Sequence, residues 1–485
     1  MSVAYKTRKR WRNHTGNQSV EPLRIYRPGT LEELQEIVRT AERDRTTVRA
    51  VGSGHAWSDV ALTTGYLVRT DRLDRPLELD HLRSDWDGPR LERTQAGIRL
   101  RELNRALAKR QLALKQMGGY DAQTVAGVIS TSTHGSGIKL GPLPDFIHSL
   151  DVVAAGGRLH RIERAGGPTD AAAFTRAHPD VELHQDDHWF NAAVVGMGCM
   201  GVVYSAAIEV TDAYWLKEVR ELREWSRVRE ELKARRAMEA SRHYEIYINP
   251  YPREGNDHRC IVCTRNVTDG KRRRAWDRLR RHWWIELASR LKITPIIGNL
   301  ILDIKPESSP RRIDQLLGWL RDSEYSGPSY KVLNIGAANL LPAYSSEIAV
   351  PLAGDNHLKA IDVLFEVAEK HRRLGSVYHS AMIALRFTTG SPAYMSMMNG
   401  GETMMIELIL MTDTEGGYEL LGAYEEALYH LGGRPHWGQV NTLTGSHDTL
   451  RRLYPDYDRW LDVRRQLDPH GTFDSPFAKR VGISG

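Results

Sequence analysis

The chain has three cysteines in 485 residues. That is too few for a disulfide framework, and it points to a reducing, cytoplasmic setting. Two of them, Cys260 and Cys263, spell C-x-x-C, but the surrounding HRCIVCT is strand-like. Residues three apart on a strand face opposite sides, so the thiols diverge. A zinc site also needs a second pair of ligands, and none is spaced for it. Both thiols therefore read as packing groups, and no metal is expected. No run of about 18 apolar residues exists, which argues against a membrane-spanning helix. The basic residues of MSVAYKTRKRWRNHTGN are not followed by an apolar stretch, so this segment does not read as a secretory signal. Internal repeats and biased tracts are also lacking. A net charge of +6 is mild for this length: it permits anionic ligands and gives no reason to expect nucleic acid.

What is present has the makings of two or three domains. The first 210 residues have an α/β rhythm. In GTLEELQEIVRTAERD, Thr30 and Glu33 are spaced as a capping box, and Leu31, Leu34, Ile37, Val38 and Ala41 form one apolar face. A strand over 47–51 follows. RLRELNRALAKRQLAL predicts a second amphipathic helix through Leu100, Leu103, Leu107 and Leu112. FIHSLDVVAAGGRLHRI reads as a hairpin closed at Gly156-Gly157, and MGVVYSAAIEV as a strand. From about Tyr214, charged helical stretches alternate with apolar strands (HYEIYINPY, CIVCT, AMIALRF, TMMIELILM), which implies an antiparallel sheet covered by helices. The fold class expected is α+β. The basic, tryptophan-bearing stretch over 270–305 admits two readings, a weak contact with an anionic membrane surface or a solvated helix packing its tryptophans inward.

GMGCMG, Gly196 to Gly201, fits G-x-G-x-x-G by letter, but that fingerprint needs a helix opening at its third glycine. The β-branched VVYSAAIEV follows instead, so nicotinamide-type Rossmann binding fails its context test. Two other glycine-rich segments carry more. VRAVGSGHAWSD ends a strand and turns sharply at Gly52-Ser53-Gly54, placing His55 at the tip as a surface residue, a metal ligand or an attachment point. The second, GGYDAQTVAGVISTSTHGSG, is dense in glycine, serine and threonine. Backbone N–H groups in such turns form anion-binding concavities, to which the hydroxyls of Ser53, Ser130, Thr131, Ser132 and Thr133 can add donors. Two such turns can embrace a pyrophosphate from both sides.

VGSGHAWSD, TVAGVISTSTHGSG, VVGMGCMGVV, RPHWGQVN and LDPHGTF occur in that order. In this the chain resembles the vanillyl-alcohol-oxidase-type flavoproteins, nearest the sugar-1,4-lactone oxidases and alditol oxidases. The resemblance implies FAD in a bipartite domain of two α/β subdomains over 1–212, a cap domain over 213–445 above the flavin, and a C-terminal segment, 446–485, that returns to the first domain. It implies a cofactor cradle of Gly52, Ser53, Gly54, His55, Ala56 and Ser58 in the first segment. The second supplies Gly118, Gly119, Asp121, Thr124, Gly127, Ser130, Thr131, Thr133, His134 and Gly135, joined by Gly201 and Val202. It further implies that His55 is joined to the 8α-methyl of the flavin ring. That fits the nucleophilicity of a neutral imidazole, and a covalent link raises the flavin potential. The second segment has no cysteine, so no second tether is expected.

The substrate side departs from the pattern. The Glu-x-Arg pair of these oxidases falls on MIALRF, which keeps Arg386 but has Ala384 in place of the glutamate. Their HWGK motif is HWGQ here, so His436 stands and Gln439 replaces the lysine. Glu407, the one charge in TMMIELILM, is a compensating candidate. It either pairs with Arg386, or acts as a base of raised pKa, or simply reaches water from an edge strand. Arg386 either steadies charge on reduced flavin or substrate oxygen, or bridges the sheet. His436 is expected to be the hydroxyl base unless it is merely hydrogen-bonded beside Trp437. The function expected is oxidation of a CH–OH group of a polyol or sugar-lactone-like small molecule by hydride transfer to FAD, with O2 or another acceptor reoxidising the flavin. Crowding at Ala126 and Gly127 would govern that choice. The altered site residues also suit an amine or a specialised metabolite. A protein binding nucleotide or membrane without redox chemistry is the alternative of another class, and it would lack a flavin's colour.

Overall fold

A computed structural model describes residues 3–269, 306–321, 323–335, 343–375 and 377–484. The expectation of membrane contact over 270–305 lies outside the described residues.

The N-terminal half builds two sheets. The smaller takes its four strands in the order Tyr5–Lys6, Arg24–Tyr26, Tyr66–Arg69, Val48–Val51, the last three parallel. Helix Leu31–Arg43 covers it, burying Leu34, Ile37, Val38 and Ala41 as the periodicity predicts. Only half of the expected capping box forms. The Thr30 hydroxyl accepts from the Glu33 amide, but the Glu33 carboxylate reaches past Thr30 to the Gly29 amide at 2.7 Å. The larger sheet runs Val181–Gln185, Leu159–Glu163, Ile147–Val153, Val202–Asp212, Leu91–Gln95, Pro76–Leu77, with Leu112–Leu114 also pairing to Val202–Asp212. The strand after GMGCMG is the one that rules out the dinucleotide helix. The second predicted helix is shorter than its leucine spacing implies: it ends at Lys109, Gln111 turns the chain at φ +57°, and Leu112 opens a strand instead.

The second half supplies one antiparallel sheet in the order Ser323–Pro328, Trp215–Glu224, Arg259–Val267, His243–Ile248, Ile383–Thr388, Thr403–Met411, Ala343–Pro351, Arg434–Pro435. One face is the apolar core beneath helices Trp225–Lys233, Asn356–Gly375 and Gly417–Tyr429, where Tyr244, Ile246, Leu385, Phe387, Ile406 and Leu408 are buried. By the two-residue period of a strand, the intervening side chains face the other way, toward the first half of the chain. Cys260 and Cys263 fall on opposite faces, as expected, and burial raises both thiols to about 12, so neither is a thiolate near neutrality.

The C-terminal helices are His447–Leu453, Tyr457–Leu467 and Pro476–Val481. Trp460, Leu461, Phe477 and Val481 share one core with Leu100, Val128, Leu150 and Ile208. Among the described residues no helix is long and apolar enough to cross a membrane. Trp460 is fully buried and its indole N–H donates to the Val195 carbonyl at 3.2 Å. Trp460→Ala should therefore cost about 3–5 kcal/mol, seen as a lowered denaturant midpoint.

Candidate active site

A cavity of about 1210 Å³ lies between the two halves, and both glycine segments line it. They meet in contact. A Cβ on Gly52 would collide with the Thr124 side chain, so only glycine lets the first turn close against the start of helix Val125–Ser130. Gly54 holds φ +72°, the left-handed conformation the tight turn requires.

The N-terminal segment fixes the His55 turn from outside. The His14 amide donates to the Gly54 carbonyl at 2.8 Å, Asn13 Nδ2 to the Ala56 carbonyl at 2.9 Å and Asn17 Nδ2 to the Trp57 carbonyl at 2.9 Å. The 436–439 loop fixes it from inside: the Trp57 amide donates to the Gly438 carbonyl at 2.8 Å and Ser58 Oγ to the Trp437 carbonyl at 2.6 Å. The His55 ring packs between His14, at 4.3 Å between centroids, and the edge of Tyr120, at 4.7 Å. Burial, reinforced by nearby His14, Arg99 and Arg101, lowers its pKa to about 3. It is a neutral, nucleophilic imidazole on the cavity wall.

Most of the expected cradle lines the cavity: Gly52 to Ala56, Gly118, Gly119, Thr124, Gly127, Ser130, Thr131, Thr133, His134, Gly201 and Val202. Three residues expected there do not. Ser58 turns inward to cap the short helix Asp59–Ala61 and bind Trp437. Asp121 offers its carbonyl to the Arg101 amide, at the start of helix Leu100–Lys109. Gly135 is a packing glycine, since a Cβ there would strike Gln116 and the Met117 backbone. The hydroxyls also divide. Ser132 Oγ is paired with Ser396 Oγ at 2.8 Å, and Thr131 Oγ1 donates to the Gly127 carbonyl at 3.0 Å. Thr133 Oγ1 is buried without a partner among the described residues, as is Nη2 of Arg49, and both residues are on the cavity wall. Buried polar atoms of this kind need a partner, and a pyrophosphate- or ribityl-bearing cofactor offers acceptors and hydroxyls for them. The residues thus fit FAD.

The cap sheet faces this cradle with ions. Arg386 Nη1 lies 2.6 Å from Glu407 Oε2 and 3.4 Å from Glu347 Oε1, and its Nε is 3.9 Å from Glu245. Glu245 in turn pairs with Arg265 at 2.7 Å, Arg265 with Glu218 at 2.8 Å, and Glu218 with Arg220 at 3.0 Å. Charges of alternating sign thereby cross five neighbouring strands, and the sixth adds a second carboxylate, Glu347, directly opposite Glu407. Burial alone would destabilise each ion, but the neighbours outweigh it: Glu245 is held down to about 2 by Arg265 and Arg386, and Arg386 is raised by Glu407 and Glu245. Ala384 lies directly opposite Glu407 on the adjacent strand. A carboxylate at 407 stands one strand, roughly 4.8 Å, from position 384 and meets Arg386. The geometry forms the ion pair expected of Glu407 and leaves a second oxygen for proton transfer. Its Oε2 is bound to Arg386, whereas Oε1 has, among the described residues, only the Ser345 hydroxyl at 3.4 Å.

His436 does not have the expected form of a base. Its Nδ1 accepts from the Gly438 amide at 3.0 Å, and burial holds its pKa near 4. A neutral imidazole with Nδ1 as acceptor carries its proton on Nε2 and is a donor. Gln439 lines the cavity and accepts from Ser345 Oγ at 2.7 Å. Glu347 was missed in the sequence. It is buried, sits 3.2 Å from His134 Nε2, and is held well below the usual carboxylate range because His134, His436 and Arg386 outweigh its burial. A lone glutamate in the apolar strand AYSSEIAVP was the available signal, the same one that marks Glu407. Arg49, the lone charge in VRAV, was likewise legible.

Comparison with known proteins gives a consistent set. The family model for D-arabinono-1,4-lactone oxidase matches residues 206–481, and that for an FAD-binding domain matches 22–163. The chain is 26% identical to an L-gulono-1,4-lactone dehydrogenase of Mycobacterium tuberculosis over 97% of its own length and 98% of the relative's. It is 23% identical to the L-gulonolactone oxidase of Mus musculus, with 97% and 98% covered. Among solved structures, a cholesterol oxidase from B. sterolicum superposes with a TM-score of 0.74 at 13% identity, covering 99% of this chain and 97% of the other, which establishes the shared fold.

Between about pH 6.5 and pH 4 the unfolded chain protonates His436 while the folded chain does not, so stability falls on acidification across that window. His436→Gln should reduce the slope, read from denaturation midpoints at about pH 7 and about pH 5.

Proposed function

Since the chain belongs to the aldonolactone-oxidase family of FAD-dependent oxidoreductases, we propose that it oxidises a CH–OH group of a lactone- or polyol-like substrate on FAD held covalently by His55. Residues 1–212 and 446–485 hold the cofactor, and 213–445 form the cap that holds the substrate. The observation that carries this reading is the placing of a neutral His55, two glycine turns and the Arg386–Glu407 pair around one cavity.

Bound there, FAD supplies the acceptor for the carbinol hydride. The protein's own groups do the rest. Glu407 Oε1 takes the hydroxyl proton, while Arg386 fixes Oε2 and offsets negative charge on the substrate oxygen. His436 Nε2 and the Gln439 amide donate to substrate oxygens. His134, anchored by Glu347 and by its own Nδ1 to the Gly135 carbonyl at 2.7 Å, stiffens the floor of the site. The ionic ladder behind Arg386 keeps the guanidinium from turning away. The carbinol loses two electrons and two protons, which O2 accepts to give hydrogen peroxide.

Purified protein should show a flavin's visible absorption, and the colour should stay with the acid-precipitated pellet. His55→Ala should release it to the supernatant; a coloured pellet in that variant removes the tether. Glu407→Gln should keep the flavin and lower kcat about 10²–10⁴-fold, measured as peroxide release with a panel of polyols, lactones and amino alcohols. Full activity in that variant assigns the base elsewhere.

A further inference from the structure

The cavity is not uniform along the cap sheet. Facing side chains recur every second residue, so successive rows can be followed outward. Arg386 and Glu245 form the ionic row nearest the cradle, with Glu407 and Glu347 one step on. Further along the same strands come Met382 beyond Arg386, Ile409 and Met411 beyond Glu407, and Ala343 beyond Glu347, all on the cavity wall. Met382 lies four residues from Arg386, roughly 13 Å along the sheet.

This outer arm is roofed by helix Ser309–Leu320, which rests Ile313 and Leu317 on the sheet and turns Leu316, Trp319 and Leu320 to the cavity. Trp319 is 74% exposed and marks the mouth. Ser380 Oγ is paired with Thr414 Oγ1 at 2.7 Å and accepts from the Met411 amide at 3.0 Å. Arg220 is held by Glu218 through Nη2, while its Nε is buried without a partner among the described residues, and Arg312 and Gln315 of the roof helix also line the cavity. A free sugar lactone bristles with hydroxyls, and it would find partners only at these points and none along Met382, Ile409, Met411 and Leu316.

We propose that the substrate is amphipathic: a hydroxylated head oxidised beside Arg386 and Glu407, joined to an apolar body lying along Met382, Ile409, Met411 and Leu316. The assignment rests on the reading of carbinol oxidation given above. The continuity of the apolar wall with the ionic row commits the arm to the substrate's own tail, because a head seated at Glu407 leads its substituent directly into it.

A series of n-alkyl ethers of one small polyol, offered to the holoenzyme, tests this. KM should fall about threefold for each added methylene while the chain is being buried, then level off once it passes Trp319, with kcat nearly flat. Met382→Gln and Ile409→Asn should each flatten that dependence. If neither variant folds, the series on the unaltered protein decides alone. A KM independent of chain length, with the parent polyol oxidised equally well, overturns the proposal while leaving carbinol oxidation intact. Independently of turnover, the rise in Tm produced by a non-oxidisable alkyl ether should grow with chain length, and no growth overturns the proposal. A protein that is colourless and oxidises no alcohol refutes the function instead, and the Tm series then still decides whether the arm binds apolar chains.

Discussion

Trp437 is the pin on which the site turns. It is wholly buried, its indole N–H donates to the Met395 carbonyl at 2.7 Å, and its ring stacks on Tyr454 at 5.4 Å with Phe477 at its edge. That places it in the core shared by the C-terminal helices and the N-terminal half. Its carbonyl and that of Gly438 then receive Ser58 Oγ and the Trp57 amide. A residue in the cap sequence, locked into the other domain's core, thus sets the separation between His55 and the His436–Gln439 loop. Because buried backbone groups must be paired, this seam cannot slide without leaving carbonyls unsatisfied on one side and donors on the other.

Across the cavity the constraint is electrostatic. Single ions under a cap would be expensive to desolvate; alternating ones support each other, and removing one member of such an array strands its partner at about 3–5 kcal/mol. This explains how a glutamate can be absent at position 384 without loss of the array. Arg386 needs a carboxylate within reach, not one on a given strand, and Glu407 supplies it from the residue directly opposite.

Local features were legible in the chain. TMMIELILM is a strand as its apolar run with a single charge predicts, the hairpin closes at Gly156-Gly157, and the two glycine segments meet as expected. Pairing across the sheet was not legible. That Ala384, Glu407 and Glu347 share one row depends on register, which no single strand encodes. Nor does a loop's sequence tell which of its residues reach a cavity: Ser58, Asp121 and Gly135 sit in the right segments yet are not on the cavity wall. The tautomer of His436 is set by an amide two residues on, visible only once the turn is closed.

His55 and His436 show how one physical cause serves opposite ends. Desolvation keeps both imidazoles neutral. What then separates them is what each nitrogen meets. In His436 the Gly438 amide occupies the Nδ1 lone pair, so the remaining nitrogen can only donate. The ring nitrogens of His55 make no hydrogen bond to a described residue; its ring packs against His14 and Tyr120. A lone pair left unspent is what bond formation to an electrophilic carbon requires, so burial makes the first a fixed donor and the second a nucleophile. An acidic neighbour beside His55 would have favoured the imidazolium and removed that capacity. The charged groups that act on it are instead His14, Arg99 and Arg101, all of which disfavour protonation.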